Sequence, residues 1–258
     1  LGAGIQESKK IMENNLIGNI NMGSIAMGLA GHEIWHPNPD FYYKYGGGPV
    51  LDMGPYYFTA LVNLLGPAKS VYSQSRTVYK KRVIGSGNRK NEEVEVDIPT
   101  TLVSQIEFES GALIDSFFSF DTWKHNKNHI ELYGDKGSIN IPDPNTFGGS
   151  IQICTEKNGK WKTIPTNEKN LGKININRSE KTNENPGIAN YRGIGVSEMV
   201  DSIKHKKLNR CSGQLSLHVL DILDTIIKSA KEEKKLDLRS SVNEVKYFSE
   251  EENIKLLI

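Results

Sequence analysis

Apolar residues Ile5, Ile11, Met12, Leu16 and Ile17 recur at helical spacing over residues 5–17, and Gly18 stands where a glycine commonly closes a helix. A first helix is expected there. Residues 19–30 are small and apolar enough for a buried strand, whereas 32–44 hold aromatics and prolines without a period and read as an irregular loop. Gly46, Gly47 and Gly48 then lead into Pro49-Val50-Leu51, and apolar positions continue at helical spacing to Leu65 before Gly66-Pro67 ends the run. Beyond Lys69 short β-rich segments alternate with turn residues. Strands are expected at 71–79, 100–109, 112–121, 129–134, 138–141, 151–156 and 161–164. Glu109-Ser110-Gly111 and Lys157-Asn158-Gly159-Lys160 read as hairpin turns, because Gly or Asn-Gly supplies the positive φ such turns need. Residues 168–186, crowded with Asn, Lys and Glu, read as a mobile loop, and helices return over 196–204 and 215–228. The sum is an α+β chain, a large and mostly antiparallel β-sheet covered by helices on one face, forming one unit over 1–258.

A chain of 258 residues with 37% hydrophobic and 24% charged content has the composition of an ordinary globular core and surface. Thirty-two Lys+Arg against 31 Asp+Glu leave a formal charge of +1, which offers no broad attraction for nucleic acid or an anionic membrane. No apolar run approaches the roughly 18–20 residues of a membrane span, and no basic segment followed by a long apolar one opens the chain, so a cytoplasmic location is expected. Cys154 and Cys211 are far apart and outside any metal-ligand spacing, and both read as reduced thiols. Asn177-Arg178-Ser179 is a formal glycosylation sequon that matters only in a secreted chain. His218, on an apolar helix, reads as a hydrogen-bonded core or surface imidazole. Val71, Val103, Ile106, Phe108, Ile114, Phe117 and Phe118 give the sheet more apolar surface than one helical layer seals, which predicts a homodimer or homotetramer joined through the sheet.

Three motifs imitate sites. Gly2-x-Gly4 opens a helix, but Glu7 occupies the place of a third glycine, and no strand precedes it as a dinucleotide fingerprint requires. Gly46-Gly47-Gly48 lacks the Gly-Lys-Ser/Thr that completes a phosphate loop, and reads as a flexible turn into the second helix. His32-Glu33-Ile34-Trp35-His36 matches the H-E-x-x-H of zinc peptidases, which works only where positions i and i+4 share a helix face. Pro37 disfavours helical backbone at His36, so this metallopeptidase reading stands as an alternative, with no metal assigned.

Residues 31–67, GHEIWHPNPDFYYKYGGGPVLDMGPYYFTALVNLLGP, resemble the second domain of the glucose-fructose oxidoreductase and inositol dehydrogenase family (Gfo/Idh/MocA). There a Gly-rich turn enters a helix bearing D-x-G-x-H or D-x-G-x-Y, here Asp52, Gly54 and Tyr56. Residues 1–18 look like the first helix after the family's Rossmann domain, Gly134-Asp135-Lys136-Gly137-Ser138 like its strand turn, and Leu217 to Asp221 like its late helix. The resemblance implies an oxidoreductase that moves hydride between NAD or NADP and a sugar, polyol or related hydroxy compound. Family members bind the cofactor on an N-terminal Rossmann domain ending in a Glu-Lys-Pro that carries the catalytic Lys. No Glu-Lys-Pro occurs in this sequence, so that Lys and most cofactor contacts are expected upstream of Leu1, and the fragment alone is expected to be inactive.

By the same resemblance Asp52 and Tyr56 are the catalytic residues of this half, one orienting the Lys and the other bonding to the reacting hydroxyl, although many members place His where Tyr56 stands. Positions i and i+4 share a helix face, which permits the pairing. A first-turn acid favoured by the helix dipole and a packing aromatic account for the same two residues. His32, Glu33, His36, Tyr43 and Lys44, in the preceding loop, are candidates to bind substrate hydroxyls, and Gly47 and Gly48 to border the cofactor. The competing class is a noncatalytic binding or assembly module on the same fold.

Overall fold

The computed structural model of the chain describes residues 1–176, 188–243 and 249–257. In chain order the elements are α1 (Ala3–Glu13), β1 (Ile20–Gly28), α2 (Pro49–Leu65), β2 (Ala68–Arg76), β3 (Lys81–Val83), β4 (Glu93–Glu95), β5 (Thr101–Phe108), β6 (Leu113–Ser119), β7 (Ile130–Gly134), β8 (Ser138–Ile141), β9 (Ile151–Cys154), β10 (Lys162–Ile164), α3 (Ile194–His205), α4 (Gly213–Glu232), β11 (Leu236–Asp237) and α5 (Glu250–Leu257). Residues 177–187, which include most of the loop expected at 168–186 and the Asn177 sequon, lie outside the described residues.

Nine strands form one sheet in the order β10-β9-β8-β7-β1-β6-β5-β2-β11, and β3 with β4 makes a separate hairpin. The fold is the expected α+β class, a large, mostly antiparallel sheet with helices on one face. Its exception is β1, which runs antiparallel to β7 but parallel to β6, pairing Ile25 with Ser116 and with Ile130. Ile25, Ala26 and Met27 are all buried, as a strand enclosed on both faces requires. The hairpin β5–β6 turns at Gly111, whose φ of 89° is open to glycine at little cost.

Helix α1 ends at Glu13 rather than at residue 17. Ile17 is fully buried, but as part of the turn into β1, so its apolar side chain mimicked one more helical position. Gly18 serves a different need from a helix cap: at φ 71° any Cβ there would collide with the Asp135 carboxylate. Gly4 likewise is no remnant of a nucleotide fingerprint, since a Cβ on it would sit 2.5 Å from Pro142 Cγ where α1 packs down.

The seven apolar positions expected on the sheet divide unevenly between its two faces. Val71, Ile106, Phe108, Ile114 and Phe118 all lie in the core beneath α2 and α4, and only Val103 and Phe117 of the seven expected apolar positions face the other way. The open face is mixed, with Tyr72, Val103, Leu113 and Met22 exposed beside Gln105 and Asp115.

His218 of α4 is fully buried, and its Nε2 accepts from the Ala68 N–H at 3.0 Å. Its Nδ1–H therefore faces Ser240 Oγ at 3.0 Å, and that hydroxyl donates to Asp221 at 2.7 Å. Burial holds the imidazole below its usual pKa. Below the unfolded value near 6.5 the unfolded chain gains a proton that the native one refuses, so stability contributed here is complete above about pH 6.5 and declines toward the lower native value. Urea unfolding at pH 7.5 and pH 5.5 is expected to show this loss, and His218→Gln to reduce it.

Candidate functional site

Because β1 and β6 are parallel neighbours, both end at the same edge of the sheet, with Gly28 opposite Ser119. The segments that follow them are stitched together: Leu29 N–H donates to Ser119 O at 2.9 Å and Thr122 N–H to Leu29 O at 2.9 Å. Helix α2 begins at this edge, entered through Gly48 at φ 95°, whose N–H donates to Tyr42 O at 2.9 Å. Asp52 lies in its first turn, where the amide dipoles favour a carboxylate.

Asp52 Oδ2 lies 3.0 Å from His32 Nε2. The His32 ring stacks on Tyr42 at 4.0 Å and meets the Phe120 edge at 4.8 Å, and its Nδ1 is buried without a hydrogen-bond partner. Burial, followed by the nearby Asp52 charge, raises the Tyr42 hydroxyl pKa. Beneath this pair sits an ion cluster. Arg82, from β3 and with a side chain only 4% exposed, donates to Glu33 at 2.8 Å and to Asp121. Asp121 also accepts from Thr100 and Thr101, each at 2.7 Å. Tyr43 is fully buried, and its hydroxyl donates to Glu33 and accepts from the His32 N–H at 3.0 Å. Burial and the Glu33 contact push that phenol well above its usual range.

His32, Glu33, Tyr43 and Asp52 are thus gathered into one network. His36 is a neighbour: its ring meets Tyr42 and Phe41 edge-on, and its Nδ1 accepts from the Asn38 N–H at 3.1 Å. Lys44 is drawn aside to Asp97 at 2.8 Å, an exposed pair. Tyr56 is 37% exposed and borders a 340 Å³ cavity with Pro55, Asn63 and Arg210. Gly47 and Gly48 have packing reasons, since a Cβ on Gly47 would lie 2.2 Å from Phe41 O and one on Gly48 2.8 Å from the Ile98 side chain. Gly47→Ala is therefore expected to cost about 1–3 kcal/mol by urea unfolding, the usual cost of overpacking.

The H-E-x-x-H segment is a single 3-10 turn, His32–Ile34, that ends at Trp35, and its His32, Glu33 and His36 each have separate partners. Among the described residues no group of three or more His, Cys, Asp or Glu could hold a metal ion. None of the helices among them is long and apolar enough to cross a membrane.

Sequence reading missed Arg82, Asp121 and Phe120, and with them the β3–β4 hairpin. Lys80, Lys81 and Arg82 look like a solvated charge run. The available signal was the alternation that puts Arg82 and Ile84 inward with Val94 and Val96, all buried. A further pair also went unseen: Tyr57 OH lies 2.8 Å from His129 Nδ1, its pKa raised by burial and the Asp143 charge.

A family model described as the GFO/IDH/MocA C-terminal domain matches residues 5–140. No curated protein matches the sequence. Among solved structures, the apo form of a levoglucosan dehydrogenase is 18% identical with a TM-score of 0.70, covering 93% of this chain and 64% of that one. An oxidoreductase from Agrobacterium radiobacter, in complex with NAD+, L-tartaric acid and magnesium, is 13% identical with a TM-score of 0.66 over 92% of this chain and 62% of its own. An aldose-aldose oxidoreductase from Caulobacter crescentus, complexed with glycerol, is 16% identical with a TM-score of 0.63 over 92% and 61%. This chain spans less than two thirds of each of these proteins, and at such identities the likeness is one of fold.

Proposed function

Since the chain belongs to the GFO/IDH/MocA C-terminal domain family, we propose that it is the substrate-binding half of an NAD(P)-dependent oxidoreductase acting on a sugar, polyol or related hydroxy compound. The observation that carries this reading is the Asp52 carboxylate, set in the first turn of α2 and held 3.0 Å from His32 at the edge where two parallel strands end. Solved relatives of the same fold carry NADH or NAD+ with L-sorbose or L-tartaric acid, which supports a nicotinamide partner and a polyhydroxy ligand.

Oxidising a carbinol requires its hydroxyl proton to leave while the oxygen gains negative character, so a base and hydrogen-bond donors must border that oxygen. In this reading Asp52 orients the base, which the family resemblance assigns to a Lys upstream of Leu1. Tyr56 donates to the reacting or adjacent hydroxyl. His32, Glu33, His36, Tyr43 and Lys44 were the loop candidates for substrate contact. Of these, His36 retains surface toward incoming hydroxyls, while Glu33 and Tyr43 act through the network that shapes the loop. Gly47 and Gly48, the glycines taken to border the cofactor, lead directly into the helix that carries Asp52. No phosphate-binding glycine turn lies in the sequence, so the dinucleotide is assigned mainly to an upstream Rossmann domain, with 1–258 as one α+β substrate-binding and oligomerisation domain. When bound, the nicotinamide accepts or returns the hydride.

The test is a complete polypeptide that includes the upstream region, assayed with NAD+ and NADP+ against levoglucosan, L-sorbose, glycerol and L-tartrate. Reduced nicotinamide is expected to accumulate with at least one sugar or polyol. Residues 1–258 alone should show no low-micromolar affinity for either cofactor by calorimetry, and such an affinity would overturn the division of labour. A complete, folded polypeptide that turns over no hydroxy compound would favour the noncatalytic module instead.

The same reading includes a cytoplasmic homodimer or homotetramer joined across the open sheet face, through Tyr72, Val103, Leu113 and Met22. Light scattering at micromolar concentration is expected to give at least twice the monomer mass, and Val103→Glu with Leu113→Glu to give the monomer.

A further inference from the structure

We propose that His32 is a positioning residue for Asp52, itself fixed by Arg82 through the loop that carries it; this rests on the reading of Asp52 as the group that orients the base beside the reacting hydroxyl. The hydrogen-bond pattern assigns the ring's tautomer. Nε2 lies 3.0 Å from Asp52 Oδ2, and Nδ1 is buried with no partner. A hydrogen on Nδ1 would be a buried, unsatisfied donor, so the hydrogen resides on Nε2 and points at the carboxylate.

The ring has no room to turn away from Asp52. Tyr42 stacks on it at 4.0 Å with 24° between planes, and Phe120 and Trp35 present edges at 4.8 and 5.5 Å. Its backbone is tied as well, through the Tyr43 hydroxyl to Glu33 and from Glu33 to Arg82. Arg82 spans Glu33 on one segment and Asp121 on the other, with its guanidinium 5.0 Å above the Tyr43 ring. The two segments that follow β1 and β6 are thereby locked to each other beneath Asp52.

A carboxylate turns broadly about its last torsion when nothing holds it. With Oδ2 committed to His32, Oδ1 is the carboxylate oxygen left to orient the base. Misplacing a reacting group by about 1 Å costs on the order of 10²-fold in rate. His32 thus contributes by fixing the angle of Asp52, and its own contact with substrate is unnecessary.

Two measurements on the complete protein decide this. Nitrogen-15 imidazole spectroscopy should show the His32 hydrogen on Nε2 and a bare Nδ1, and Asp52→Ala should shift the Nε2 signal. A hydrogen on Nδ1, or an unmoved signal, overturns the proposal whatever the substrate. Kinetically, His32→Phe keeps a stacking ring without a donor, and His32→Gln restores a donor at the Nε2 position. With levoglucosan and NAD+, or whichever of L-sorbose, glycerol and L-tartrate is turned over, His32→Phe is expected to lower kcat about 10- to 100-fold while KM stays within about twofold, and His32→Gln to recover most of the loss. Unchanged kcat in His32→Phe, a change confined to KM, or equal damage in both variants would each overturn it. If His32→Phe does not fold, the spectrum and His32→Gln still decide. Should Asp52→Asn itself leave turnover intact, the functional reading falls, whereas a damaging Asp52→Asn beside an innocuous His32→Phe removes only the positioning role.

Discussion

On the proposed function, Asp52→Asn and Tyr56→Phe in a complete polypeptide that includes the upstream region are each expected to lower turnover about 10²- to 10³-fold, with cofactor affinity intact. The first substitution keeps the shape of the side chain and an oxygen for the His32 Nε2–H, so it removes charge and little else. The second removes a hydroxyl from a ring that is 37% exposed, where no core contact depends on it. Melting temperatures should therefore hardly move. A transition-state hydrogen bond or charge contact is typically worth about 2.7–4 kcal/mol, which sets the size of the effect. If Asp52 were only an acid favoured by the helix dipole and Tyr56 only a packing ring, the pattern would reverse. Melting would then drop slightly and turnover would stay within a few fold. Steady-state kinetics and thermal melting on the same two variants separate the readings, and wild-type kinetics in both would remove these residues from the chemistry.

Arg82→Met is expected to destabilise the fold by about 3–5 kcal/mol, the usual cost of stranding a buried charge. Arg82 is the cation between Glu33 and Asp121, whose side chains are 10% and 6% exposed. Removing it leaves two buried carboxylates without their shared cation, with Tyr43 donating to Glu33 and Thr100 and Thr101 to Asp121. In a chain of this size each kcal/mol shifts melting by roughly 2–4 °C, so a drop of order 10 °C is expected. Adding Glu33→Gln and Asp121→Asn to Arg82→Met should return part of the loss, because the stranded charges are then gone. A melting temperature within about 2 °C of wild type in Arg82→Met would show that the cluster is solvated and does not anchor the loop.

What was legible from sequence was what neighbours along the chain decide. Helix α2 was placed over Pro49–Leu65 because its apolar period, its entering glycines and Gly66-Pro67 are all local. Strand β8 at Ser138–Ile141 and the turns at Gly111 and Asn158 followed from alternation and from residues that accept positive φ. The motif of Asp52, Gly54 and Tyr56 was visible for the same reason, being contained in one turn and a half of helix. What the tertiary structure alone decided was which distant segments meet. β1 lies between β6 and β7, residues far along the chain, and no local period encodes a parallel partner. That insertion brings residues 29–48 and 120–129 to one sheet edge, and so assembles the cluster around His32 and Asp52. Glu33 was read as a substrate contact and Arg82 was passed over, because charge patterning records solvation along an element and not the partner that another loop supplies. The faces of Val71 and Ile106 could not be assigned either, since a strand's period separates two faces without saying which one the helices will cover.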